Sequence, residues 1–222
     1  MSESKTYKLI LTSKGLNTLM GTDLIRRAYE KEKIKCESIF LMAFPEYEVD
    51  EIVVKNCKEL GFQNIFLAKE YERKSIAEMP NVDTVYVTEG NTFEIIDYIR
   101  KNHFDIYIRN LVDSGATYIG SSAGAILASS RFDCALDFDL NFSGVCDFDG
   151  FNLLPREGKL ADTVIPHYTF KQLQNYADSL SKEEVCKYQT IYNVANDEVL
   201  ILDCRRIEQD VHLLKTRRIR VE

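Results

Sequence analysis

The sequence predicts an α/β fold built on a mostly parallel sheet covered by helices on both faces. Short apolar runs of the buried-strand type recur along the first half of the chain, and stretches with helical spacing of apolar residues lie between them. No repeat, linker or low-complexity tract interrupts the 222 residues. Alternation of this kind gives parallel strands joined by crossover helices. The length suits a single domain, residues 1–222, with room for a sizeable core.

Lys8 to Thr12 is the first buried-type strand, ending in Ser13-Lys14-Gly15. A helix is expected from about Thr22 to Lys33, where Leu24, Ile25, Ala28 and Tyr29 recur at helical spacing. Ser38 to Ala43 is a second strand, stopped by Phe44-Pro45, and Asp50 to Leu60 an amphipathic helix with Gly61 placed to end it. Strands follow at Asn64 to Ala68 and Thr84 to Thr88, then a turn at Glu89-Gly90-Asn91. Thr92 to Asn102 reads as a helix, and another runs to Ser114-Gly115. Ala116 to Gly120 is the next strand. Beyond it the chain is irregular and acidic, with Asp133, Asp137, Asp139, Asp147 and Asp149 among aromatics. Val164 to Tyr168, a helix from about Phe170 to Ser181, and three short strands (Gln189–Val194, Glu198–Asp203, Val211–Val221) complete it.

Apolar residues make up 45% and charged residues 28%, an ordinary globular balance. A net charge of −7 argues against nucleic acid or an anionic membrane as partner. The basic cluster Lys215, Arg217, Arg218 and Arg220 alternates with other residues and reads as the solvated side of a last strand. Six scattered cysteines form no CxxC pair, which argues against a zinc site of the usual spacing. With no signal-peptide pattern at the start and no long apolar span, the expectation is a cytoplasmic protein with free thiols.

Chemistry concentrates at Tyr118-Ile119-Gly120-Ser121-Ser122-Ala123-Gly124-Ala125, where Gly120, Ser122 and Gly124 satisfy the G-x-S-x-G nucleophile-elbow pattern. A serine on a sharp strand-to-helix turn projects its hydroxyl out of the fold, and the N–H of Ala123 at the helix start can stabilise an oxyanion. The same geometry also serves as a phosphate site or a plain structural turn. A serine nucleophile needs a base, and the chain has three histidines. His103 ends a helix, where a cation suits the dipole. His212 lies in a terminal strand, as the base of an α/β-hydrolase-type esterase would. His167 follows Pro166 in a loop between a strand and a helix, where a parallel sheet presents its chemistry. A third member of Ser…Asp…His order is open among Asp133, Asp137, Asp139 and Asp147.

Gly90-Asn91-Thr92-Phe93, the elbow around Ser122 and Pro166-His167-Tyr168, in that order, resemble the dipeptidase E family of serine peptidases, which includes the cyanophycinases. The likeness runs from the first strand to about Tyr168. It implies a flavodoxin-like three-layer sandwich related to class I glutamine amidotransferases, with Ser122 in place of their elbow cysteine. It implies Ser122 as nucleophile, His167 as base, the Gly90 and Ala123 amides as oxyanion hole, and Asp137 or Asp139 as the acid. It also implies cleavage of dipeptides with an N-terminal aspartate, with no metal or organic cofactor.

The partner expected on this reading is a small peptide, with no nucleic acid or membrane, the chain acting alone or as a homodimer. One position departs from the family: the turn that usually reads Gly-Gly-Asn is Glu89-Gly90-Asn91. Pointing inward, Glu89 would disfavour an acidic substrate or hold a free amino group; pointing away, it changes nothing. Asn91 and Arg131 are the other candidate substrate contacts; Arg131 either receives an aspartyl carboxylate or is a surface arginine. The competing expectations are the esterase using Ser122 with His212 and an inactive small-molecule-binding homologue.

Overall fold

The computed structural model describes residues 6–42, 50–156, 161–180, 188–208 and 210–220. Its elements are β1 (Thr6–Thr12), α1 (Leu19–Glu32), β2 (Ser38–Met42), α2 (Asp50–Leu60), β3 (Asn64–Leu67), β4 (Thr84–Val87), α3 (Thr92–Lys101), α4 (Phe104–Asp113), β5 (Thr117–Ser121) and α5 (Ala123–Leu127). They continue with β6 (Ala161–Pro166), α6 (Phe170–Ser179), β7 (Tyr188–Val194), β8 (Glu198–Ile207) and β9 (Asp210–Arg220).

Seven strands form the central sheet in the order β3-β2-β4-β5-β1-β8-β9. The first five are parallel, while β8 and β9 extend the sheet antiparallel beyond β1. Successive side chains on a strand face opposite sides, and the core divides accordingly. Leu9, Leu11, Leu200 and Leu202 pack with α3, α4 and α5 on one face. Ile10, Val199 and Ile201 pack with Leu24, Ile25 and Ala28 of α1 and Val53 and Cys57 of α2 on the other. This is the three-layer α/β arrangement expected.

Several elements differ from the sequence expectation for identifiable reasons. Helix α1 begins at Leu19, three residues before the apolar pattern, because the Thr18 side chain caps it by accepting from Gly21 N at 3.0 Å. The strand ending Gln189–Val194 does not join the main sheet. It forms β7, parallel to β6 in a separate two-stranded sheet, with Pro166 opposite Val194. Phe44-Pro45 and Ser181 lie outside the described residues.

The basic cluster on β9 is more than a solvated face. Arg217 is 10% exposed and pairs with Glu32 at 2.6 Å and Asp203 at 3.0 Å, while Arg218 and Arg220 both reach the fully buried Glu198. A buried carboxylate requires such partners, because it is otherwise costly to desolvate. The five described cysteines carry free thiols. Among the described residues no helix is long and apolar enough to cross a membrane.

Candidate active site

The end of β5 and the start of α5 make the elbow. Ser122 stands at its apex with φ 49° and ψ −107°, a strained conformation for a residue with a side chain. Close packing accounts for the glycines on either side. A Cβ on Gly124 would lie 2.2 Å from the Val87 carbonyl oxygen, and one on Gly120 2.6 Å from that of Gly124. The turn is pinned by hydrogen bonds: Ser122 N donates to Thr12 O (2.9 Å), Gly124 N to Thr88 O (3.2 Å), and the Tyr118 hydroxyl to Gly124 O (2.6 Å). Burial raises the Tyr118 pKa well above the ordinary phenol value, so it remains a donor.

His167 follows β6. Its ring reaches back to the elbow, with Nε2 2.8 Å from Ser122 Oγ. Its backbone N–H donates to Ser13 Oγ (2.7 Å), and that hydroxyl donates onward to Val194 O (2.6 Å). The backbone of His167 is therefore tied through Ser13 to the end of β1 and the end of β7, and its φ of 65° marks a tight turn. On the far side of the ring, Nδ1 lies 2.7 Å from Asn196 Oδ1, in the turn joining β7 to β8. A carboxamide oxygen can only accept, so this contact fits the proton on Nδ1 and leaves Nε2 free to accept from Ser122.

The order of strands explains how distant residues meet. Ser122 follows β5 and Ser13 follows its neighbour β1. The β6–β7 register carries His167 and Asn196 to that same carboxyl end, where sites form in open α/β sheets. A pocket of about 220 Å³ opens there, and Gly90, Ser122, Ala123, Asp139 and His167 all contribute to its wall.

The remaining candidate residues fall into two groups. Gly90 lines the pocket with φ 144°, while the next residue, Asn91, caps α3 by accepting from Phe93 N (3.0 Å) and Glu94 N (3.2 Å). The carboxylates expected to complete a triad do not reach His167. Asp139 accepts from Thr92 N (2.9 Å) and Thr92 Oγ1 (2.6 Å), and Asp137 from the Tyr176 hydroxyl (2.5 Å). Asn196 stands where the acid was expected, and it follows both Ser122 and His167 in the chain rather than lying between them.

Glu89 turns away from the pocket, accepting from Gly15 N at 3.3 Å and from Asn17 Nδ2. Arg131 is held by Asp133 at 3.1 Å and Asp149 at 3.3 Å, outside the pocket wall. His212 lies on β9 opposite Arg205 of β8, and His103 sits between α3 and α4.

Comparison with known proteins gives a consistent picture. The model of Peptidase family S51 matches residues 55–209. An uncharacterised peptidase of Listeria monocytogenes is 28% identical over 152 residues, covering 67% of this chain and 71% of its own length. Peptidase E of Pasteurella multocida is 25% identical over 148 residues (66% of this chain, 60% of that protein). Peptidase E of a Nostoc species is 30% identical over 126 residues (57% and 48%). The match thus spans only about half to three fifths of the length of these two peptidases E.

Two solved structures share the fold. One is a protein provisionally assigned to peptidase E from Listeria monocytogenes, with TM-score 0.67, 21% identity, and coverage of 98% of this chain and 100% of that one. The other is a peptidase from an acI-B1 actinobacterium, with TM-score 0.60, 16% identity, and coverage of 96% and 94%.

Proposed function

The chain belongs to peptidase family S51 and is a serine-type peptidase, and from that premise we propose that it hydrolyses short peptides, dipeptides among them, through an acyl-enzyme on Ser122. The observation that carries the reading is the alignment of Ser122 Oγ, His167 and Asn196 through contacts of 2.8 and 2.7 Å at one pocket.

In the proposed cycle Ser122 Oγ attacks the scissile carbonyl as His167 Nε2 takes its proton. The carbonyl oxygen becomes an oxyanion, received by the backbone N–H groups of Gly90 and Ala123. His167 returns the proton to the departing amine as the peptide C–N bond breaks. A water molecule then gives a proton to His167 as it attacks the ester, and His167 returns that proton to Ser122 Oγ as the C–O bond breaks and the acid leaves. Asn196 orients the imidazole without adding charge, as in the Cys-His-Asn arrangement of papain-like peptidases. Asp139 and Asn91 hold the Gly90 turn: Asp139 grips Thr92, and Asn91 Nδ2 donates to Leu140 O at 2.9 Å. A cytoplasmic location is part of this reading, supported by the free thiols.

The test is hydrolysis of a panel of dipeptides and short peptides by wild type and Ser122→Ala. Cleavage by wild type alone is the expected result; equal cleavage by the purified variant would remove Ser122 from the mechanism.

A further inference from the structure

The wall facing Ser122 bears on the residue that supplies the scissile carbonyl. Ile126, Phe138, Pro166 and Tyr168 form its apolar part. Phe138 and Tyr168 meet edge to face with centroids 5.7 Å apart, and Tyr176 packs on both, at 5.7 and 6.0 Å. Three rings in mutual contact make a stiff surface that buries apolar area at little entropic cost. The segments that carry these rings also leave Leu136, Leu140, Phe142 and Phe170 exposed to solvent.

Charge points the same way. Among the described residues that line the pocket there is no lysine or arginine, and Asp139 is the one carboxylate. Arg131, the cation that could have met an acidic side chain, is committed to Asp133 and Asp149. Glu89 is tied to Gly15 and Asn17 away from the pocket and takes no part in this. An aspartate side chain would thus lose water beside a carboxylate without gaining a partner, which is unfavourable. The volume, about 220 Å³, is below the range of roughly 300–1,000 Å³ for drug-sized ligands and suits a single side chain.

We propose that the preferred substrates carry an apolar or aromatic residue at the scissile carbonyl, and that acidic residues are rejected there. This rests on the serine-peptidase reading and replaces the Asp-X preference that family resemblance implies.

The experiment compares kcat/KM for Leu-Ala, Phe-Ala and Asp-Ala with wild type, Phe138→Ala and Phe138→Leu, with fluorophosphonate labelling of Ser122 in parallel. The expected result is a preference for Leu-Ala and Phe-Ala over Asp-Ala of at least about tenfold, the scale of apolar-pocket discrimination. Phe138→Ala should reduce that ratio and Phe138→Leu should largely retain it. A labelled Ser122 with Asp-Ala preferred, with no peptide of the panel cleaved, or with a ratio indifferent to Phe138→Ala overturns the specificity alone. Unlabelled Ser122 with no cleavage overturns the serine-peptidase reading beneath it.

Discussion

Asn196 Oδ1 lies 2.7 Å from His167 Nδ1, on the side of the ring opposite Ser122. A neutral amide therefore occupies the place where a carboxylate was expected, fixing the ring without stabilising the imidazolium by charge. Replacing Asn196 by alanine should lower kcat by about a hundredfold, the lower end of what general-base catalysis contributes, with KM little changed. Asn196→Asp should retain activity and move the acid limb of the kcat/KM profile to higher pH, because a carboxylate favours the charged ring. A pH–rate series on the three proteins checks both; an alanine variant as fast as wild type would remove Asn196 from the mechanism.

Two acids once equivalent in the sequence are expected to separate in kinetics. Asp137 is bound to Tyr176 at the surface, so Asp137→Asn should leave kcat/KM within a factor of about three, the scale of surface substitutions. Asp139 holds Thr92 beside Gly90, so Asp139→Ala should loosen the oxyanion turn and cost up to about a hundredfold in kcat. Steady-state kinetics on the pair decides, and the reverse order would contradict the assignment.

The elbow predicts a stability effect. A Cβ at Gly124 meets the Val87 carbonyl at 2.2 Å, and backbone cannot swing aside as a side chain can. Gly124→Ala should destabilise the fold by at least about 1–3 kcal/mol, the usual cost of overpacking, readable as a lowered midpoint in urea. An unchanged midpoint would mean that β4 and the elbow are not packed this closely.

Asp162 on β6 is 4% exposed. Burial pushes its carboxyl up to about 6, against an ordinary 3.8, despite hydrogen bonds from Thr190 and Tyr192. The folded state then binds this proton more tightly than the unfolded chain. The contribution to stability falls as pH rises from about 4 to 6, and above that the cost is complete, at most about 3 kcal/mol. Asp162→Asn removes the charge, so its Tm relative to wild type should rise between pH 4.5 and pH 7.5. A Tm difference that stays constant over that interval would contradict a strained carboxylate at Asp162.

Much of this was legible in the chain because local signals agreed with the global fold. The apolar runs at Lys8–Thr12 and Thr84–Thr88 had no competing helical pattern, and the glycines at 120 and 124 announced a turn that tolerates no Cβ. With three histidines in the chain, position alone singled out His167. Asn196 carried no such signal. It sits in an ordinary strand-to-strand turn, and only the parallel pairing of β6 with β7 brings it beside a residue 29 positions earlier. The direction of Glu89 was equally hidden, since it depends on Gly15 and Asn17 in a loop 72–74 residues away.

The most direct test of the central claim is mass spectrometry after treatment with a fluorophosphonate, on wild type, His167→Ala and His212→Ala. The account predicts an adduct on Ser122 in wild type and in His212→Ala, and a strongly slowed reaction in His167→Ala. No adduct on Ser122 in wild type, or a reaction lost with His212 and kept without His167, would contradict it.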